Sequence, residues 1–178
     1  MPIGLQARSR ACGLPPSRIN AQKSDAMPTL IEQRQTAEAP ALAALRQRHA
    51  GARILVAEDN LVNQEIVCAC LEEAGMRVDV VGNGQEAVDR VSTAYQFVLM
   101  DLWMPEMDGL EATRKIRKMP GMADLPIVAL TACTGREDRA ACAAAGMSGF
   151  LAKPIETRLL YQVLLAWLDR WALTALRC

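Results

Sequence analysis

From Arg53 onward the chain alternates short continuous apolar runs with longer stretches in which apolar residues recur every three or four positions. Four of the runs, Ile54–Ala57, Phe97–Met100, Ile127–Leu130 and Phe150–Ala152, hold no charged residue, which is the pattern of a strand covered on both faces. With a fifth segment they predict strands near 53–57, 77–81, 96–100, 126–130 and 149–152. Helices are predicted near 61–74, 84–93, 109–118 and 135–145, with a last one from about 156. Five strand–helix units joined by short turns imply the α/β class, a parallel sheet with helices on both faces and right-handed crossovers. Gly75, Gly82, Gly84, Gly121, Gly135, Gly146 and Gly149 fall at or near the predicted ends. In the first of these helices Leu61, Ile66, Val67, Cys70 and Leu71 recur at roughly helical spacing and are expected to pack on the sheet.

The flanks read differently. Residues 1–40 are rich in Pro, Ser, Gln, Arg and Ala and show no period, so a disordered tail is expected there. Arg8, Arg10, Arg18 and Lys23 precede the first acid, Asp25, but no apolar signal core accompanies them, which disfavours a targeting peptide. After Pro40, residues 41–50 suit a short helix with Leu42 and Leu45 on one face, ended by Gly51. Segment 1–50 is thus read as tail and linker. His49 sits there in QRHAG without catalytic neighbours, and is expected to be an exposed linker residue rather than a phosphorylated histidine. At the other end an apolar stripe, Leu160, Leu164, Trp167, Leu168, Trp171 and Ala175, continues almost to the last residue. The folded domain is expected over 52–170, with 171–178 extending the final helix.

Composition narrows the class. The 178 residues suit one domain plus extra segments. A hydrophobic content of 51% with 22% charged residues fits a soluble globular chain, and no apolar run reaches the roughly 18 residues a spanning helix needs. Net charge is zero but divided: residues 1–50 carry seven Lys/Arg against three Asp/Glu (+4), residues 51–178 thirteen against seventeen (−4). A mildly acidic domain without a basic stripe points away from nucleic acid and toward a bound cation. The cysteines, Cys12, Cys68, Cys70, Cys133, Cys142 and Cys178, form no CxxC pair, and there is one histidine. That excludes a zinc site and a disulfide scaffold, and leaves small core-filling thiols in a reducing compartment, the cytoplasm.

The chemistry lies at the strand ends. Glu58-Asp59, Asp101, Thr131 and Lys153 each follow one of the four apolar runs. In a parallel sheet the carboxyl ends of the strands open into one crevice, where ligands bind. Three carboxylates, one hydroxyl and one ammonium should therefore converge, a set suited to a divalent cation and a phosphoryl group. Asp59 also suits the N-cap of the following helix. Yet two adjacent acids facing a third are costly unless a cation offsets them. Asp59 and Asp101 offer the hard oxygens that magnesium prefers.

The segments VAEDNLVNQ (56–64), VLMDLWMPEMDGLEA (98–112), IVALTA (127–132) and GFLAKPI (149–155) resemble the receiver domain of two-component signalling, in order and spacing, over about residues 52–170. EDNxxNQ and MPEMDG are most similar to receivers of hybrid sensor histidine kinases and related stand-alone regulators. The resemblance implies a flavodoxin-like doubly wound (βα)5 sheet of order 2-1-3-4-5. It implies that Asp101 is the phosphoacceptor, attacking phosphorus to give an aspartyl phosphate. Mg2+ would be held by Asp59, Asp101 and the backbone carbonyl of Trp103, with Glu58 holding a metal-bound water. Lys153, Thr131 and backbone amides near Ala132 and Leu102 would cover the phosphoryl oxygens, so that catalysis is mainly positioning and electrostatics. The Lys153–Pro154 bond would be cis. Phe150 would be the aromatic switch that follows Thr131, biasing a two-state surface. Trp103 and Cys133 would flank the path of attacking water, with Trp103 shielding the phosphate, and small Ala132 would admit a donor.

The implied partners are a sensor histidine kinase or histidine phosphotransfer domain and a downstream protein target, with homodimerisation open and neither nucleic acid nor membrane involved. Trp171, Ala172 and Leu176 would stay exposed, meet a partner or second copy, or fold back onto the N-terminal segment. No output or ATP-binding module is evident, so the chain is expected to be a stand-alone receiver or a fragment resembling the tail of a hybrid kinase, and not a dedicated enzyme unless it is part of such a kinase. An aspartate-nucleophile phosphatase would want a second acid two residues after Asp101, where Trp103 stands. A receiver-shaped scaffold that is never phosphorylated is the other rival, and intact Asp59, Asp101, Thr131 and Lys153 argue against it.

Overall fold

Each apolar run forms a strand: β1 (Arg53–Ala57), β2 (Arg77–Val81), β3 (Phe97–Asp101), β4 (Ile127–Thr131) and β5 (Gly149–Ala152). In this computed structural model, which describes residues 40–132 and 135–175, they form one parallel sheet of order β2-β1-β3-β4-β5, a flavodoxin-like α/β fold. The disordered tail expected before residue 40, and Cys12, Cys133, Leu176 and Cys178, lie outside the described residues. The helices are α1 (residues 40–48), α2 (Leu61–Glu73), α3 (Gly84–Arg90), α4 (Gly109–Arg117), α5 (Arg136–Ala145) and α6 (Thr157–Ala175).

Strand alternation divides the core in two. Leu55, Ala57, Val98, Met100, Ile127 and Ala129 share one cluster with Ala87, Ala112, Ile116 and Cys142 from the α3, α4 and α5 side. Ile54, Val56, Phe97, Leu99, Val128 and Leu130 share the other with Leu45 of α1, Val67 and Leu71 of α2, and Leu160, Leu164 and Leu168 of α6. Every residue of β3 and β4 is buried, because both strands are central and covered on both faces. Edge strand β2 is only partly covered.

Three expectations need correction. Val67 and Leu71 are buried, but Leu61 and Ile66 are 72% and 51% exposed rather than packed on the sheet. At 3.6 residues per turn Val67 and Leu71 lie about 40° apart on the helix, whereas Leu61 falls about 120° round from Val67. The helix is capped by Asn60, whose side chain accepts from the amides of Val62 and Asn63, and not by Asp59. Residues 41–48 are no free linker either: Leu45 is fully buried, Ala41 and Leu42 pack against the same cluster, and His49 is mostly buried.

The same contacts account for the length of α6. His49 Nε2 lies 2.7 Å from Asp169 Oδ1 and Arg48 donates to Asp169 Oδ2 at 2.9 Å, so α1 and the far end of α6 hold each other. These contacts are made by Asp169 rather than by Trp171, Ala172 or Leu176, the residues for which a fold-back is one alternative. Trp171 is half-buried, packed against the cluster on the α3–α5 side, while Ala172 and Leu173 are exposed.

Candidate functional site

The strand ends deliver the side chains the sequence marks. β1 ends one residue before Glu58, β3 ends on Asp101, β4 ends on Thr131, and Lys153 follows β5 directly. Glu58, Asp101 and Thr131 are at most 5% exposed, while Asp59 is open to solvent. Carboxylate oxygens of Glu58, Asp59 and Asp101 lie within 4.8 Å of one another. Lys153 Nζ sits 2.6 Å from both Asp101 Oδ2 and Glu58 Oε2. The Lys153–Pro154 peptide is cis.

Electrostatics follow from that crowding. Burial pushes the Asp101 carboxyl above its ordinary range; hydrogen bonding to Lys153 pulls it back, and the negative charge of Glu58 pushes it up again. Burial alone would lower Lys153, but hydrogen bonds and charge from Asp101 and Glu58 outweigh it, and the ammonium is held more firmly protonated. Glu58 Oε2 is fully buried and lies 2.6 Å from the Lys153 ammonium. Three carboxylates against one ammonium leave the cluster anionic. Hard carboxylate oxygens within 4.8 Å of one another, in excess of the one ammonium, fit a divalent cation.

The loops fix the rest. Gly109 opens α4 directly against β3: a Cβ there would overlap the carbonyl of Asp101, so the MPEMDG turn requires glycine at this point. The turn places Trp103 at the rim, 70% exposed. Its amide points at Asp101 Oδ1 at 3.3 Å. The Leu102 amide, expected to face a phosphoryl group, is instead bonded to the carbonyl of Leu130 at 3.2 Å, because pairing with β4 continues one residue past Asp101. Trp103 N–H is thus the amide that faces the carboxylate. Ala132 is exposed beside Thr131, and Cys133 lies outside the described residues. Phe150 is half-buried and pairs in register with Ala129, while the Arg139 guanidinium lies 4.7 Å from its ring centre.

The sequence reading passed over two amides. Asn63 Nδ2 donates to Glu58 Oε1 at 2.8 Å, and Gln64 Nε2 to the Glu58 carbonyl at 2.6 Å. Both stand in the EDNxxNQ segment, so their signal was present as a pair of amides one helical turn after the acids.

A five-stranded sheet of this order, with acids and a lysine gathered at its carboxyl edge, defines a receiver-like module. The chain belongs to the response regulator receiver domain family, which its residues 54–165 match. Receivers of this kind act in two-component phosphorelay signalling. The hybrid signal transduction histidine kinase B of Dictyostelium discoideum is 44% identical over 117 residues, covering 59% of this chain and 6% of the kinase. The osmosensing histidine protein kinase SLN1 of Saccharomyces cerevisiae is 41% identical over 111 residues, covering 58% and 9%. The chain therefore spans less than a tenth of the length of these relatives. Among solved structures, the receiver domain of sensor histidine kinase PA1611 from Pseudomonas aeruginosa, with magnesium coordinated in its active site cleft, is 41% identical. The match has a TM-score of 0.63 and covers 67% of this chain and 99% of that one. The receiver domain of Saccharomyces cerevisiae Ssk1, solved with the histidine phosphotransfer protein Ypd1, is 29% identical at TM-score 0.61, covering 66% and 89%. No helix among the described residues is long and apolar enough to cross a membrane.

Proposed function

We propose that Asp101 accepts a phosphoryl group from a phosphohistidine of a sensor kinase or histidine phosphotransfer domain, in a site that Asp59, Asp101, Glu58 and the Trp103 carbonyl complete with Mg2+. The observation that carries this reading is the Lys153 ammonium spanning Asp101 and Glu58 at 2.6 Å each, inside a cluster of three carboxylates. Mg2+ held by these residues would supply positive charge to offset the carboxylates and the phosphoryl oxygens. The Asp101 carboxylate attacks phosphorus while the phosphorus–nitrogen bond to the donor imidazole breaks. Lys153 neutralises a second phosphoryl oxygen, and the Trp103 amide and Thr131 hydroxyl donate to the others. The chain thus takes the group onto its own side chain and is not a dedicated enzyme.

A donor needs a place to sit. Leu61, Val62 and Ile66 form an exposed apolar patch on α2, and Asn63, Ile66, Lys153, Pro154 and Ile155 line a cleft of about 110 Å³ beside the site. We assign this face to the donor, because exposed apolar patches beside a reactive centre mark docking surfaces. Output is read from the opposite rim, where Phe150 and Thr131 bias the α5–β5–α6 surface toward a downstream protein.

The test is magnesium-dependent labelling by acetyl phosphate, read by intact mass, beside Asp101→Asn. One added phosphoryl group on the parent, absent from the variant and without magnesium, is expected. If neither acetyl phosphate nor beryllofluoride produces an adduct, the scaffold reading replaces this one.

A further inference from the structure

Glu58 presents an unusual arrangement for a carboxylate. It is fully buried, and its two oxygens are treated differently. Oε1 accepts from Asn63 Nδ2 at 2.8 Å, whereas Oε2 lies 2.6 Å from the Lys153 ammonium. Its main-chain carbonyl is held separately, by Gln64 Nε2 at 2.6 Å. A carboxylate only accepts, so the Asn63 amide must donate through nitrogen, which fixes its orientation.

The consequence is geometric. A glutamate side chain has three rotatable bonds, and its terminal torsion is broad. Nothing in the apolar surroundings of β1 selects which oxygen faces the crevice. The Asn63 amide pins Oε1 on the α2 side and so turns Oε2 toward Lys153 and Asp101. Asn63 is itself placed by the helix start: its backbone N–H donates to the Asn60 side chain at 3.1 Å.

We propose that Asn63 is a positioning residue for the cation site, acting through Glu58 by holding Oε2 toward the ion's water shell. The inference rests on the metal-site reading above. Groups that orient a ligand from behind typically cost 10–100-fold in metal affinity when removed. Since Glu58 reaches the ion through water, the low end applies, about tenfold.

Calorimetric titration of the full chain with MgCl2 tests it. Asn63→Ala removes the amide and keeps the backbone N–H that Asn60 accepts. Asn63→Leu preserves size, so either variant serves if the other unfolds. Each is checked by thermal unfolding in EDTA. The expected result is a Kd raised about tenfold with unfolding little changed, and no further loss from Asn63→Ala in a Glu58→Gln background. An unchanged Kd in folded variants overturns the proposal while leaving the metal site standing. So does the same loss in the Glu58→Gln background, since the amide then acts independently of Glu58. Absence of Mg2+ binding by the parent overturns both readings.

Discussion

Replacing Leu45 with alanine asks whether α1 belongs to the fold. Leu45 has no exposed surface and shares its cluster with Leu71, Ala74, Leu164 and Leu168. Truncating a fully buried leucine to alanine costs about 2–5 kcal/mol, made up of lost transfer free energy and the cavity left behind. The helix lies at the margin of the core and can relax inward, so the lower half of the range applies, about 3 kcal/mol. In urea, with a slope of about 2 kcal/mol/M for a domain of this size, the midpoint should fall by about 1.5 M. Arg48→Ala is the internal comparison. Arg48 is 49% exposed in its pair with Asp169, and such pairs contribute less than about 1 kcal/mol. The slope should hold in both variants, because α1 unfolds with the sheet. A midpoint shift below about 0.25 M for Leu45→Ala, about 0.5 kcal/mol at that slope, would refute the packing argument and return residues 41–48 to a detached linker.

Two further outcomes follow from other parts of the molecule. Asp79 on β2 is held down to about 2 by its hydrogen bond from Arg53, then by Tyr95 and Arg90. A lowered acid stabilises the fold fully above its unfolded value and loses that contribution as pH falls from about 4 through about 2. The guanidinium groups are 43% and 56% exposed, so after solvent screening Asp79→Asn should cost about 1 kcal/mol at pH 7. Urea midpoints of parent and variant should converge by about pH 2; a gap independent of pH would contradict the assignment. Trp103, exposed at the rim beside Asp101, is expected to shield the phosphoryl group. Trp103→Ser should speed dephosphorylation severalfold in a single-turnover decay, and an unchanged or slower rate removes the shielding role.

The sheet was legible because strands covered on both faces carry an unbroken apolar run, as at Phe97–Met100 and Ile127–Leu130. Their ends then announced Asp101 and Thr131, since a parallel sheet brings all carboxyl ends together. What pattern reading missed depended on contacts between distant segments. Leu45 looks like part of a linker until α6 is long enough to cover it. His49 has no neighbours of note in QRHAG, and meets Asp169 only in space. Leu61 and Ile66 were drawn to the sheet by counting apolar residues without their angle on the helix. The Leu102 amide was misassigned because strand pairing ran one residue further than the apolar run.

Lys153 links the empty and loaded forms of the proposed site. One ammonium lies 2.6 Å from each of two buried carboxylates; burial raises the Asp101 carboxyl, and hydrogen bonding to Lys153 only partly pulls it back. A divalent ion held by Asp59 and Asp101 would supply further positive charge to the acids. Lys153 would then be released from part of its contact with Glu58 and Asp101, which lie equally close at 2.6 Å. The ammonium stays beside the acceptor, free to meet an incoming phosphoryl oxygen. On the proposal above, the Asn63 amide, 2.8 Å from Glu58 Oε1, would keep the carboxylate in place meanwhile. Charge balance and geometry are thus assigned to different residues, so that loading the site can change one without disturbing the other.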